Sequence, residues 1–318
     1  MRGMAFMLAL AAAGGQAQKP STEDPGAVFH SDTRLVVCNT AVVDKEGHLV
    51  TNLPRQAFTV YENGVKQTVA GFKREDVPVS IGLIIDNSGS MREKRAQVEA
   101  AALALAKDSN PEDEVFVVNF NDEAYMDLPN NKDFTNDIKE MEEALTRIDS
   151  HGGTAMRDAI RMSIDWLRQK AHKDKKVLVV VTDGNDNSSV IGLEDLVKAA
   201  QQSGVLLYSV GLLDEEERRE AARAKRALEA LATATGGETF FPKELSEVDR
   251  IAHQVARDIR SQYTIQYTPS NTAMDGGYRQ IKVAVAAAGH PTARTRRGYY
   301  ATPDQAPAPS AKSAAFKP

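Results

Sequence analysis

Val79-Ser80-Ile81-Gly82-Leu83-Ile84-Ile85 followed by Asp86-Asn87-Ser88-Gly89-Ser90 is the stretch that decides the fold. An apolar run with no alternation is the pattern of a strand buried on both faces, as in a parallel sheet covered by helices. This run ends in a carboxylate and two hydroxyls just before a helical pattern begins at Met91. Hard oxygens therefore fall at the carboxyl edge of a sheet, where open α/β folds hold their ligands. Working outward, a second apolar run, Val177-Leu178-Val179-Val180-Val181, closes on Thr182-Asp183-Gly184, and Gly152-Gly153-Thr154 precedes another helical pattern.

Between Val79 and about Arg260 strand and helix patterns alternate. Strands are expected over 79–85, 114–120, 124–128, 177–182, 205–210 and 238–241, and helices over 91–107, 136–148, 155–170, 193–203, 217–235 and 244–259. Such alternation predicts an α/β fold: a doubly wound, mostly parallel sheet flanked by helices on both faces. Here a strand-terminal Asp-x-Ser-x-Ser, a distant Thr and a more distant Asp stand in fixed order.

In that order the three pieces resemble the metal-ion-dependent adhesion site of von Willebrand factor type A domains. The resemblance covers about 180 residues, within the usual range of one domain. Carried over by the pattern, the metal ligands are Asp86, Ser88, Ser90, Thr154 and Asp183, with no departure at any position. Magnesium takes about six oxygens and keeps several waters, which suits few carboxylates and several neutral hydroxyls. Two aspartates just neutralise a divalent ion, so it stays electrophilic toward one more anionic oxygen. Mg2+ is the expected cofactor, with Mn2+ or Ca2+ as other occupants, and the expected partner is a protein presenting Asp or Glu.

Each piece also has an ordinary structural reading. Ser88, Ser90 and Thr154 stand where a hydroxyl caps a helix, and Asp183 before Gly184 is a turn signal. His151 is a rim residue that an enzyme reading would make a general base. Residues 183–194 have the oxygen spacing of a calcium loop but carry Ser188 where its sharp turn needs glycine. Asn121-Asp122 should leave the same sheet edge. Two function classes follow, a secreted binding module without catalysis and a hydrolase or phosphotransferase using the same ion. Against the second, no nucleophile, base and orienting group stand together, and Asp86-Asn87-Ser88 lacks the second aspartate of an aspartyl-phosphate loop. A scaffold whose metal only stabilises the fold is a third reading.

The flanks read differently. Extended runs at 34–43, 58–62 and 65–72, the last two joined by Asn63-Gly64, precede the α/β part, and runs at 263–268, 278–286 and 293–299 follow it. Neither flank can bury a core alone, so both are expected to pack into one small β-sandwich. The arrangement resembles a secreted bacterial family related to the von Willebrand factor A domain. Runs like Phe58-Thr59-Val60-Tyr61-Glu62-Asn63-Gly64 before the domain, and Tyr267-Thr268-Pro269-Ser270-Asn271 and Arg297-Gly298-Tyr299-Tyr300 after it, carry that likeness. The expected division is 1–18 signal peptide, 19–77 first β segment, 78–261 type A domain, 262–300 second β segment and 301–318 disordered tail.

Arg2, the apolar stretch Met4 to Ala13 and Gly15-Gln16-Ala17 form an export signal. The mature chain is then secreted or periplasmic, with no membrane span. Cys38, the single cysteine, sits in a strand-like run and reads as a small buried hydrophobe. A net charge of −5 with interspersed signs excludes a nucleic-acid footprint, and 42% hydrophobic residues suffice for a sizeable core. The charged stretch Asp214 to Lys225 reads as a solvated helix face.

Overall fold

The apolar runs without alternation become the middle of a sheet. The computed structural model describes residues 35–74, 76–147, 149–184, 186–213 and 218–303. The chain begins there with β1 (Val36–Val43), β2 (Phe58–Glu62), β3 (Val65–Gln67) and β4 (Val69–Lys73). Strands and helices then alternate: β5 (Val79–Asp86), α1 (Arg95–Lys107), β6 (Glu114–Phe120), β7 (Ala124–Met126), α2 (Ile138–Leu145), α3 (Met156–Lys170) and β8 (Lys175–Thr182). They continue through α4 (Leu193–Ser203), β9 (Leu206–Gly211), α5 (Arg218–Thr235), β10 (Thr239–Phe240) and α6 (Glu247–Arg260). Last come β11 (Tyr263–Tyr267), β12 (Tyr278–Val285), β13 (Thr292–Arg294) and β14 (Gly298–Tyr300).

The central sheet has the order β10-β9-β8-β5-β6-β7, parallel throughout except for the antiparallel edge strand β7. Every residue of β5 is buried, as its unbroken apolar sequence requires. Gly82 is needed in that strand: a Cβ there would lie 2.4 Å from Phe116 Cζ and 2.6 Å from Leu178 Cδ2, side chains of the strands on either side. Helix α1 packs with α2 and α6, and α4 packs with α3 and α5, so the sheet is covered by two groups of helices. After β5 the chain runs to β6 and β7 on one side, then returns to β8 on the other. The reversal puts a crevice at the carboxyl ends of β5 and β8.

The flanking strands form two antiparallel four-stranded sheets, ordered β13-β1-β11-β4 and β14-β12-β2-β3. In the first sheet strands from before and after the α/β part alternate, while in the second a late pair, β14-β12, adjoins an early pair, β2-β3. The inner faces of the two sheets share a core of Val36, Cys38, Phe58, Val60, Tyr263, Ile265, Tyr267, Ile281 and Tyr299. Phe58 lies 4.8 Å from the ring of Tyr263 and 5.3 Å from that of Phe72. Glu62, buried in β2, accepts hydrogen bonds from Tyr267 of the other sheet at 2.7 Å and from Tyr299 at 2.9 Å. Cys38 is fully buried, and burial pushes its thiol up to about 12, so it behaves as a packed hydrophobe rather than a nucleophile.

Two single runs of the sequence prove to be pairs of strands. The stretch 65–72 breaks at Thr68, with β3 pairing β2 and β4 pairing β11 in the opposite sheet. The stretch 293–299 divides likewise into β13 and β14. A sandwich turns its corners by strands that switch sheets, and a bend in an extended chain leaves little mark on composition. The α1 helix begins at Arg95 rather than Met91, because Gly89–Met91 first form a 3-10 turn.

Residues 1–34 and 304–318, which hold the expected export signal and most of the expected tail, lie outside the described residues, as do 214–217 of the charged stretch. The remainder of that stretch is α5, where Arg218, Arg219, Glu220, Arg223 and Lys225 are exposed. Among the described residues no helix is long and apolar enough to cross a membrane.

Candidate metal centre

The crevice at the switch point collects residues from three loops. Asp86, the last residue of β5, is 1% exposed. Its Oδ1 accepts from the Ser88 amide at 2.8 Å and its Oδ2 from Thr182 Oγ1 at 2.6 Å, Thr182 being the last residue of β8. Burial pushes the Asp86 carboxyl up to about 6; hydrogen bonds from Thr182 and Ser88 hold it down, and the neighbouring charge of Asp183 raises it further. A carboxylate raised by burial and by a second carboxylate gains most from a cation set against both.

Ser88 and Thr154 occupy positions from which hydroxyls ordinarily cap helices, yet neither caps one. Ser88 precedes the 3-10 turn without a side-chain cap bond, and α3 starts after Ala155, also uncapped. Ser88 Oγ instead lies 3.2 Å from Ser90 Oγ, which donates to Asp183 Oδ1 at 2.8 Å. Asp183 Oδ2 accepts from Lys94 Nζ at 2.6 Å. Asp86, Ser88, Ser90 and Asp183 are thus gathered at one sheet edge. Thr154 stands beside Gly184, the residue after Asp183: a Cβ on Gly184 would lie 3.6 Å from Thr154 Oγ1. Asp86, Ser88, Thr154 and Asp183 are buried while Ser90 is exposed, so the cluster opens on the side of Ser90.

Backbone bonds stitch the loops together. The Gly89 amide donates to Gly152 O at 3.2 Å and the His151 amide to Asn87 O at 3.0 Å. The Ala155 amide donates to Asn121 O at 2.6 Å. Gly152 has φ +74°, a left-handed conformation, and a Cβ there would lie 2.1 Å from Asp122 Oδ2. Asn121-Asp122 does leave this edge, and it braces the second loop: Asp122 Oδ1 accepts from the Gly153 amide at 2.8 Å. His151 is exposed, with Nδ1 3.3 Å from Asn121 Nδ2.

In the calcium-like spacing of 183–194, Asn187 is spent on another partner, and the neighbouring Asp186 on an ion pair. Asn187 Oδ1 accepts from the Thr154 amide at 2.9 Å, and Asp186 pairs with Arg157 at 3.0 Å. Asp158 accepts from the amides of Val190 at 2.8 Å and Ile191 at 3.0 Å, so this loop presents Val190, 95% exposed, on a pinned backbone. Among the described residues no three His, Cys, Asp or Glu side chains converge as a cage for a metal ion. Asp86, Ser88, Ser90 and Asp183 instead bring together two carboxylates and two hydroxyls, with the Thr154 hydroxyl beside Gly184, a chemistry that fits a hard ion which retains water.

Sequence reasoning assigned no role to Lys94 or Thr182. Thr182 was visible only as the residue before Asp183. Lys94 lies four positions after Ser90, within the stretch expected to be helical from Met91, and that spacing is the only local signal for it.

The chain is similar to several solved structures. A von Willebrand factor type A protein from Catenulispora acidiphila aligns with a TM-score of 0.48 at 16% identity, covering 85% of this chain and 75% of that one. The conserved hypothetical protein BatB from Bacteroides thetaiotaomicron aligns at 0.46 and 18% identity, over 57% of this chain and 100% of that one. Proximal thread matrix protein 1 from the mussel byssus, with a zinc-occupied MIDAS motif, aligns at 0.49 and 14% identity, over 62% of this chain and 49% of that one. The chain therefore spans about half the length of the mussel protein. The sequence profile of the von Willebrand factor type A domain matches residues 80–254, more than half of the chain. The chain belongs to the von Willebrand factor type A domain family.

Proposed function

We propose that the chain is a metal-dependent protein-binding module that recognises an acidic side chain of its partner through a divalent cation. Asp86, Ser88, Ser90, Thr154 and Asp183 would hold the ion, magnesium by preference, and the ion would supply a Lewis-acidic position for a carboxylate oxygen. The observation that carries this reading is the pooling of hydroxyls: Ser88 and Ser90 turn away from helix capping toward each other and toward Asp183. Family membership supports it, since type A domains commonly mediate metal-dependent protein interactions. The division into an export signal, a type A domain and a sandwich from both flanks is part of the proposal, as is a secreted or periplasmic location.

The reading as a metal-dependent hydrolase or phosphotransferase is weaker on chemical grounds. Ser80, Glu114 and His172 do meet, but the carboxylate stands between the other two: Ser80 Oγ donates to Glu114 Oε1 at 2.5 Å, and His172 Nδ1 is 2.9 Å from Oε2. An imidazole that does not touch the hydroxyl cannot take its proton. The trio also lies at the amino end of β5 and β6, away from the crevice.

The test is capture of partners from cell extracts by the immobilised chain in magnesium and in EDTA, with Asp86→Ala and Asp183→Ala beside the wild type. Capture should require the ion and both aspartates. Equal capture with and without chelator refutes the reading.

A further inference from the structure

Among the described residues, the ammonium that touches the site belongs to Lys94. Its Nζ donates to Asp183 Oδ2 at 2.6 Å and to the carbonyl of Leu212 at 3.3 Å. The Asp183 side chain is 1% exposed and that of Lys94 25%, so solvent screens this pair far less than a surface pair. The second bond fixes the ammonium to the end of β9 rather than leaving it to follow the carboxylate. The Leu212 amide in turn donates to Thr182 O at 2.8 Å, and the Thr182 hydroxyl donates to Asp86. Both carboxylates and the ammonium are thus held by one set of strand ends.

Two carboxylates and one ammonium give the cluster a single net negative charge. We propose that Lys94 is a fixed counter-cation that sets the charge of the centre: it orients Asp183 toward Ser90 and cancels one of the two negative charges. A divalent ion bound there keeps one uncompensated positive charge, so metal affinity is lowered and attraction for an anionic oxygen is raised. The inference rests on the metal reading given above, and it narrows the ligand class to carboxylates and similar anions, since a neutral oxygen gains little from the excess charge. A purely structural Lys94, tying α1 to β8, has the opposite signature: its loss would loosen Asp183 and weaken metal binding.

The full chain is titrated with Mn2+, free ion being followed by electron paramagnetic resonance. The Mn2+-loaded protein is then titrated with acetate, followed by water-proton relaxation. At the effective dielectric of a partly buried site, loss of this charge in Lys94→Met should tighten Mn2+ binding by about ten- to a hundredfold and weaken acetate binding by about three- to tenfold. Lys94→Arg, which keeps the charge, should stay within about twofold of the wild type on the same grounds. Should Lys94→Met fail to fold, Lys94→Gln keeps a donor for Leu212 without the charge and serves the same comparison. A folded neutral variant that binds Mn2+ no more tightly than the wild type overturns the role of Lys94 and leaves the metal reading standing. Absence of Mn2+ binding in wild type and variants alike overturns both.

Discussion

Asp86→Asn should make the chelated protein more stable while removing its response to magnesium. The carboxylate is 1% exposed and its pKa is pushed, chiefly by burial, from an ordinary 3.8 up to about 6. Each unit is 1.36 kcal/mol, so keeping this group charged in the fold at neutral pH costs about 3 kcal/mol. Asparagine retains an acceptor for the Ser88 amide, and the Thr182 hydroxyl can turn to accept from its Nδ2. Because the folded pKa lies above the unfolded one, the contribution of Asp86 to stability is fully present below about pH 4 and is lost as the pH rises through about 6. In EDTA the wild type should weaken across that window and Asp86→Asn should not. Magnesium at a hundred times its Kd should return about 2.7 kcal/mol to the wild type and nothing to the variant. Urea unfolding followed by circular dichroism, at pH 5 and pH 7.5, in EDTA and in magnesium, measures all of these differences. If Asp86→Asn is less stable than the wild type in EDTA at pH 7.5, or keeps the magnesium increment, the account of a buried carboxylate poised for a cation is wrong.

Three further outcomes are expected. Arg294 of β13 pairs with Glu238 and with Asp258 of α6, whose side chain is 3% exposed, so Arg294→Met should cost about 3 to 5 kcal/mol in urea, and adding Asp258→Asn should recover much of it. Lys175 is pushed down to about 8, mainly by burial, with Arg260 adding to the fall. The unfolded chain therefore binds more protons between about pH 8 and pH 10.5, and the wild type should gain up to about 3 kcal/mol across that range relative to Lys175→Met. Val190→Asp should leave folding within about 0.5 kcal/mol and metal affinity unchanged, yet weaken capture of an acidic partner in magnesium, because it adds a like charge on the rim.

Residues that report on their own strand were easy to read in the sequence. Val79 to Ile85, Ser80 apart, and Val177 to Val181 show no polar face of the pleat, and the expected strands 79–85 and 177–182 differ from the observed ones only by one residue at the end of β5 and two at the start of β8. The gathering of Asp86, Ser88, Ser90 and Asp183 follows from that fold, because parallel strands end at the same edge. What pattern could not supply are contacts between distant elements with ordinary local chemistry. Lys94 looks like any helix-surface lysine, and its meaning comes from Asp183, 89 positions away. The sheet switch at Thr68 escaped for a related reason: both halves of 65–72 are extended and only their partners differ. The hydroxyls of Ser88 and Thr154 were ambiguous in sequence, since capping and convergence on a cation use the same residue types at the same place.

The way the sandwich is wired has a consequence for biosynthesis. Val36 to Thr40 lie opposite Tyr263 to Tyr267, and Phe58 to Glu62 opposite Ile281 to Val285, so the central pair of each sheet joins early residues to late ones. While the chain is being made, the first strands leave the ribosome long before their partners exist, and their hydrogen-bonding edges stay open meanwhile. The crevice with Asp86 and Asp183 can take shape in that interval, whereas the sandwich can only close at the end, after the entropy of joining remote segments has been overcome. A nascent protein with its α/β part formed would still have β1 and β4 without their late partner β11 and one edge of the β2-β3 pair open, and that stage is where a chaperone or a protease would meet it.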